Sequence, residues 1–313
     1  MKKFLKYLIN PFAGIYLLLN PVYAQHFNFI ETDEGILLKY EHQNIFFYQS
    51  ATKSMNGDYP RANYIHPLYG LSGEILTEDF PEDHLHHRGI FWAWHQLYVN
   101  GQRAGDGWEC KGIEWHIIKT STTTKENIAT LITDLNWEGE LSGVKTVLMH
   151  ENTTITCRKP SENIVILDFK IRLTPPEDGT KLGGSEDIKG YSGFSVRTKL
   201  PDDLVFNSVI GKVEPEETAV QAGGWIDMQG TFAPGLPVQT AITIMCDPDH
   251  PSPFHGWILR DKGSMQNAAF PGSDPVEIPK GSTLELNYRL LLHPPGLGAH
   301  EIDRIYKESI ESE

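Results

Sequence analysis

Along most of the chain apolar and polar positions alternate with a period of two, and turn-forming residues break the alternation at short intervals. That pattern belongs to antiparallel strands with one buried face. Residues 36–40 (ILLKY) and 44–48 (NIFFY) flank a His42-Gln43 turn and read as a hairpin. Residues 127–137 alternate in part, and 144–149 with 153–157 read as a pair turning at Glu151-Asn152. The run 163–173 (NIVILDFKIRL) puts Leu167, Phe169, Ile171 and Leu173 on one face and Ile166, Asp168, Lys170 and Arg172 on the other. Residues 238–246 and 283–292 repeat the pattern. Helical spacing is confined to the tail, 298–312, where Ile302, Ile305, Tyr306 and Ile310 follow Pro294-Pro295. The threonine-rich patch 120–124 reads as a loop. Residues 175–189 (PPEDGTKLGGSEDIK) read as a long loop between strong strands, suited to function or to joining domains. No composition change crosses it, and no repeat is visible. The expectation is an all-β chain: one large antiparallel β-sandwich domain over residues 25–313, with a short C-terminal helix.

Residues 1–24 depart from this pattern. Lys2, Lys3 and Lys6 precede an apolar stretch ending at Leu19, and Val22 and Ala24 hold the −3 and −1 positions of a cleavage site. This reads as a signal peptide, which implies a periplasmic or secreted protein. Pro11 and Pro21 interrupt the apolar run, which argues against a spanning anchor, and no later segment approaches the length of a membrane span. Hydrophobic residues make up 40% of the 313, enough for a packed core and against global disorder. Lys+Arg number 27 against 41 Asp+Glu, a net charge of -14. That balance argues against nucleic acid or an anionic membrane as partner and leaves open a small or neutral ligand, a carbohydrate or other small molecule. Cys110, Cys157 and Cys246 are odd in number, widely spaced and outside any zinc pattern. Buried thiols are expected, with one disulfide left open.

The densest chemistry lies in Glu82-Asp83-His84-Leu85-His86-His87-Arg88-Gly89. If this segment is extended, His84 and His86 share a face and His87 points away. Two such imidazoles can act as an acid–base pair near neutral pH, or ligate a metal. Arg88 adds a forked donor. Trp92 and Trp94 then share a face, with His95 opposite. Glu74, Glu78 and Asp79 are acids just upstream. Glu186, Asp187 and Lys189 stand beside Gly190 and Gly193, which permit close backbone approach to a ligand. His250, His255 and Trp257 form a second group. No GxSxG elbow, HExxH zinc motif or P-loop is present. The reading is an acid–base enzyme acting on a glycoside or an oxidised sugar. His84 and His86 are its catalytic pair, Asp187 or Glu186 the alternative base, and no cofactor is specified. His87, Arg88, Trp92, Trp94, Lys189, His250 and His255 bind substrate, a tryptophan serving as sugar platform. Two alternatives stand beside it: a metalloenzyme ligated by His84, His86 and His250 or His255, and a non-catalytic glycan-binding module.

Several blocks also resemble a known family. They are His66-Pro67-Leu68-Tyr69-Gly70, Asp79-Phe80-Pro81, Asp83 through Gly89, Lys189 through Arg197, Gly224-Trp225-Ile226-Asp227, Asp249-His250-Pro251 with Trp257 and Arg260, and the final strand from Tyr288 to His293. Together they resemble a bacterial family of unknown function commonly labelled "methane oxygenase PmoA". The resemblance implies a soluble β-sandwich similar to the galactose-mutarotase supersandwich, found beside sugar-catabolism proteins of Bacteroidetes and Planctomycetes type. That architecture houses aldose epimerases, glycoside hydrolases and polysaccharide lyases, so the resemblance implies a carbohydrate-directed role.

Overall fold

A computed structural model describes residues 26–236, 238–251 and 254–308. The signal-peptide reading of residues 1–24 lies outside these. An eight-stranded antiparallel sheet runs in the order Phe27–Glu31, Gly35–Tyr40, Gln43–Gln49, Tyr64–Leu68, Ile90–Trp94, Ser192–Val196, Gln266–Ala269, Gly256–Ile258. A nine-stranded antiparallel sheet begins with the meander Glu114–Lys125, Ile128–Leu141, Val144–Ser161 and Ile164–Thr174. It continues through Leu284–His293, Ala241–Cys246, Trp225–Gln229, Val205–Ser208 and Gly211–Val213. The main core is drawn from both sheets: Trp92, Trp94 and Phe194 of the first pack with Phe169, Leu173 and Leu290 of the second. This is the expected antiparallel β-sandwich. Among the described residues no helix is long and apolar enough to cross a membrane.

Side-chain alternation explains the central strands. Leu167, Phe169, Ile171 and Leu173 are buried, while Asp168, Lys170 and Arg172 on the opposite face are half-buried. Leu167 pairs with Cys157 on one side and Leu290 on the other, so the apolar positions stay in register across three strands. The tail forms the helix Ala299–Glu308, whose Ile302 and Ile305 pack on Trp225, Met245 and Leu291. Ile310 lies outside the described residues. Cys110, Cys157 and Cys246 are buried free thiols.

Three local readings are corrected. Glu151-Asn152 is not a turn but the middle of the continuous strand Val144–Ser161. Glu151 points into the core and accepts hydrogen bonds from Trp92 Nε1 (2.9 Å), Trp137 Nε1 (2.7 Å), Asn63 Nδ2 (2.8 Å) and Thr153 Oγ1 (2.6 Å). Those donors supply what water would have supplied at a turn. The threonine patch 120–124 belongs to the strand Glu114–Lys125, pairing Thr120 with Thr133 and Thr124 with Ala129. Its β-branched side chains suit a pleated surface. Within 175–189, the strand Thr180–Gly183 pairs with Val276–Ile278 and Gln96–Val99, so this segment is part of a small sheet rather than a linker.

Candidate functional site

The strand Ile90–Trp94 sends Ile90, Trp92 and Trp94 into the main core, while Phe91 and Ala93 face outward. The outward pair joins Tyr64, Trp108, Met265 and Tyr191 in a small second cluster on the outer face of the eight-stranded sheet. This corrects the tryptophan platform: Trp92 donates to Glu151, Trp94 donates to Phe270 O (2.8 Å), and neither reaches solvent. Alternation shows that the two indoles share a face, and the opposing sheet decides that it is the inner one.

On this floor residues 81–88 fold as successive turns rather than an extended strand. His84 N–H donates to Pro81 O (3.1 Å) and His87 N–H to His84 O (2.9 Å). Gly89 then lets the chain close against the neighbouring strand, because a Cβ there would stand 1.9 Å from Ile65 O. Coiling brings all three imidazoles together. The rings of His84 and His87 stack at 4.6 Å, 3° from parallel, and His86 stands nearly perpendicular to His87 at 4.6 Å. His87 therefore joins the cluster instead of pointing away, but it is buried and packs its edge on Trp108. His95 stacks on Trp108 at 5.3 Å and completes the group.

Two of these histidines are oriented by carboxylates. Burial would raise the Asp83 carboxyl, but hydrogen bonds from Arg197, the Ser264 N–H and His84 hold it well below the usual range. Arg197 grips it with both terminal nitrogens, at 2.8 and 2.7 Å. An ionised Asp83 only accepts, so His84 Nδ1–H donates to Oδ2 at 2.9 Å. Asp106 repeats the arrangement. Partial burial pushes it up, while the bonds from His95 and the Glu109 N–H bring it down, so His95 Nδ1–H donates to Oδ2 at 3.0 Å. Nε2 of each ring takes no hydrogen bond among the described residues. His86 is 13% exposed, and its Nε2 lies 3.7 Å from Glu109 Oε1. Burial lowers His86 to about 4 against the pull of Glu109, so it is neutral at pH 7. Burial lowers His87 further, with His86 and His84 adding to it.

The remaining expected site residues divide. Arg88 is 0% exposed. It donates to Leu85 O (2.7 Å) and Tyr59 O, lies 3.4 Å from Asp79 and covers the Phe80 ring, so it braces the turns from beneath instead of gripping a substrate. The Asp187 carboxylate is occupied by Ser185 Oγ and the Lys189 and Gly190 N–H groups. Burial nudges it up but these bonds pull it down, which makes it a turn-former and a weak base. Lys189 offers its carbonyl to His255 Nε2–H (3.0 Å). The His255 ring fills space that Gly190 and Gly272 leave open: a Cβ on Gly272 would lie 2.5 Å from its Nδ1. His250 is held among Phe254, Phe270 and Tyr288, donating to Pro251 O and accepting from Tyr288 Oη (2.9 Å). Burial lowers its pKa. His250 and His255 thus serve the loops around the site. Of the upstream acids, Glu74 binds Thr240, Glu78 binds Arg197, and Asp79 binds Lys53.

Sequence reasoning missed Asp106, Trp108, Glu109 and Tyr191. For the first three the signal was the run Gly105-Asp106-Gly107-Trp108-Glu109, and Tyr191 lay inside the block 189–197 without a role of its own. Tyr191 ends the loop beginning at Ser185, packs on Trp108 at 5.7 Å and accepts from Arg260 (2.7 Å). Glu186 of that loop pairs with Arg103 (3.2 Å), which donates to His95 O (2.9 Å). Tyr191 and Tyr59, whose ring lies 6.3 Å from that of His86, stand at the rim, and with the four imidazoles and three carboxylates they provide proton donors and acceptors on the sheet's outer face. They do not form a three-histidine metal cage. Of the expected ligands, His84 and His86 stand nearly perpendicular with ring centroids 5.7 Å apart, while His250 and His255 are engaged by Pro251, Tyr288 and the Lys189 carbonyl. Among the described residues no set of three or more His, Cys, Asp or Glu side chains is arranged to hold a metal.

Comparison with known proteins finds short or loose likenesses and one that spans most of the chain. A 72-residue stretch is 29% identical to porphobilinogen deaminase of Rubrobacter xylanophilus, covering 23% of this chain and 24% of that one. The heparan sulfate lyase HepC from Pedobacter heparinus superposes with a TM-score of 0.37 at 9% identity, over 86% of this chain and 35% of that one. A mutant of that lyase gives 0.36. The chain thus spans about a quarter of the curated relative and about a third of the solved structure. A profile of the family of unknown function DUF6807 matches residues 35–307, and the chain belongs to that family.

Proposed function

We propose that this is an exported carbohydrate-active enzyme that works on a glycoside or an oxidised sugar by histidine acid–base chemistry. The observation that carries it is the pair of Asp–His couples, Asp83–His84 and Asp106–His95, with both Nε2 atoms unpartnered. A carboxylate on Nδ1 fixes the tautomer and stabilises the imidazolium formed when Nε2 takes a proton. His86, kept neutral by burial, is a further proton acceptor, and Glu109 beside it balances the charge that develops. The half-buried rings of Tyr59 and Tyr191 offer apolar faces for a sugar ring. The sequence blocks that resemble the PmoA-labelled family, 83–89 and 189–197, help to build this site. Export rests on the pattern of residues 1–24.

The test is a turnover screen of the mature protein on glycosides and 3-keto-glycosides, followed by His84→Ala, His95→Ala and the double variant. Removing a general acid or base lowers kcat by about 10²–10⁴-fold, with unfolding midpoints near that of the parent. Asp187→Asn retains activity if it still folds. A double variant as active as the parent would refute the assignment. Tight sugar binding without turnover would replace it with a glycan-binding module.

A further inference from the structure

The outer face of the nine-stranded sheet, across the core from the histidines, holds a hollow of about 650 Å³, within the range of small-molecule sites. The strand register dictates its lining. Asp168 pairs with Arg289, and Lys170 with Asn287, on the face that the apolar residues leave free. Arg158 and Arg289 both donate to Asp168. Arg172 Nε donates to Glu285 (2.8 Å), with Lys170 Nζ 3.7 Å from the same carboxylate. Each carboxylate is shared between two cations. With Asp247 on the rim, four cations face three acids, the reverse of the balance in a chain of net charge -14.

Two of the arginines, Arg158 and Arg172, also have donors unused among the described residues. A guanidinium carries five N–H bonds. Arg172 spends only Nε on protein and is 42% exposed, and Arg158 spends only one terminal nitrogen and is 34% exposed. Arg172 also lines an adjoining hollow of about 430 Å³, so its free edge serves both. Thr154 and Thr156 supply hydroxyls along one wall, and the Asn287 Oδ1 is buried without a partner among the described residues. Forked N–H donors match an oxyanion in two-point geometry, and the hydroxyls and amide match alcohol groups.

We propose that this groove is a second binding site, for a hydroxylated small molecule bearing a carboxylate or sulfate, such as an acidic sugar. It stands apart from the histidine site and does not depend on its chemistry. The probes are D-glucuronate, glucose 6-sulfate and neutral glucose, titrated calorimetrically into the mature protein at low and high salt. At least one anionic sugar binds, glucose binds at least about tenfold more weakly, and salt weakens the anion. Which anion binds distinguishes carboxylate from sulfate. The Lys170→Gln/Arg172→Gln double variant loses about tenfold or more, while Arg172→Lys, which keeps charge but not the fork, falls between. His84→Ala/His95→Ala binds as the parent does, and that result together with the loss in the groove variants places the ligand in the groove. Unfolding midpoints confirm that each variant is folded, and Arg172→Lys alone serves if the double variant is not. The proposal is overturned if neither anion binds, if all three sugars bind alike, if the folded groove variants bind like the parent, or if the histidine variant abolishes binding.

Discussion

At the scale of single residues, Glu151 bears most directly on stability. Burial pushes its carboxyl up, and the four donors around it pull in the other direction. Trp92 comes from one sheet and Trp137 from the other, so one carboxylate links the two layers. Glu151→Ala would strand both indole N–H groups and the Asn63 amide in the core. Leaving buried donors unmade costs about 1–3 kcal/mol each before relaxation, so the variant is expected to lose about 3–5 kcal/mol. Glu151→Gln, which keeps one acceptor oxygen, loses less. Urea unfolding checks both, and a loss under about 1 kcal/mol for the alanine variant would show that water satisfies these groups. The sequence hid this residue. A Glu-Asn pair between two apolar runs has the composition of a turn, and three of the four donors that make it a core residue lie 14 to 88 positions away.

At the scale of elements, the segment 79–89 shows what local pattern can and cannot determine. Three histidines in four residues mark a site, and His95 a few residues on belongs to it. Their geometry was not legible, because extended and turned backbones give opposite answers about His87. The orienting roles of the carboxylates were hidden too: Asp106 reaches His95 from 11 positions on, across the turn that ends the strand Gln102–Gly105, and Asp83 depends on an arginine 114 positions away. His86 of this segment and His66 of the neighbouring strand Tyr64–Leu68 shape the response to acid. His66 and His86 are both lowered to about 4, mainly by burial, from the ordinary 6.5. The unfolded chain then binds more protons than the folded one between those values. Stability is therefore full above about pH 6.5 and falls as the pH drops toward 4. Asp83, depressed by Arg197, adds a loss that begins only below its ordinary 3.8. Unfolding free energies measured from pH 7.5 to 4.5 should decline, with a shallower slope in His66→Gln. A flat profile in the parent would mean that these imidazoles titrate normally.

For the whole molecule, hydrophobic periodicity was enough for the fold class, the main strands (period two) and the tail helix (helical spacing), because each depends on a face being buried. Which face meets which sheet was beyond it, and that is why Trp92 and Trp94 were expected in the site while Trp108 was missed. The outcome is a sandwich whose candidate sites lie on its outer surfaces, with the indoles of Trp92, Trp94 and Trp137 spent on the layer between. One side chain connects that layered design to the end of the chain. Arg289 donates to Asp168 in the groove and to the Ile305 carbonyl of the tail helix (3.1 Å). The last turn of the helix is thus moored to the sheet by a single guanidinium as well as by Ile302 and Ile305. In Arg289→Gln, amide hydrogens of Ala299–Glu308 should exchange about tenfold faster or more, while those of Ile164–Thr174 keep their protection. Equal exchange in the two proteins would show that packing alone seats the helix. If the mooring holds, the tail helix reports on the groove from outside it, and exchange rates at the C-terminus become a gauge of how firmly the neighbouring sheet surface is held.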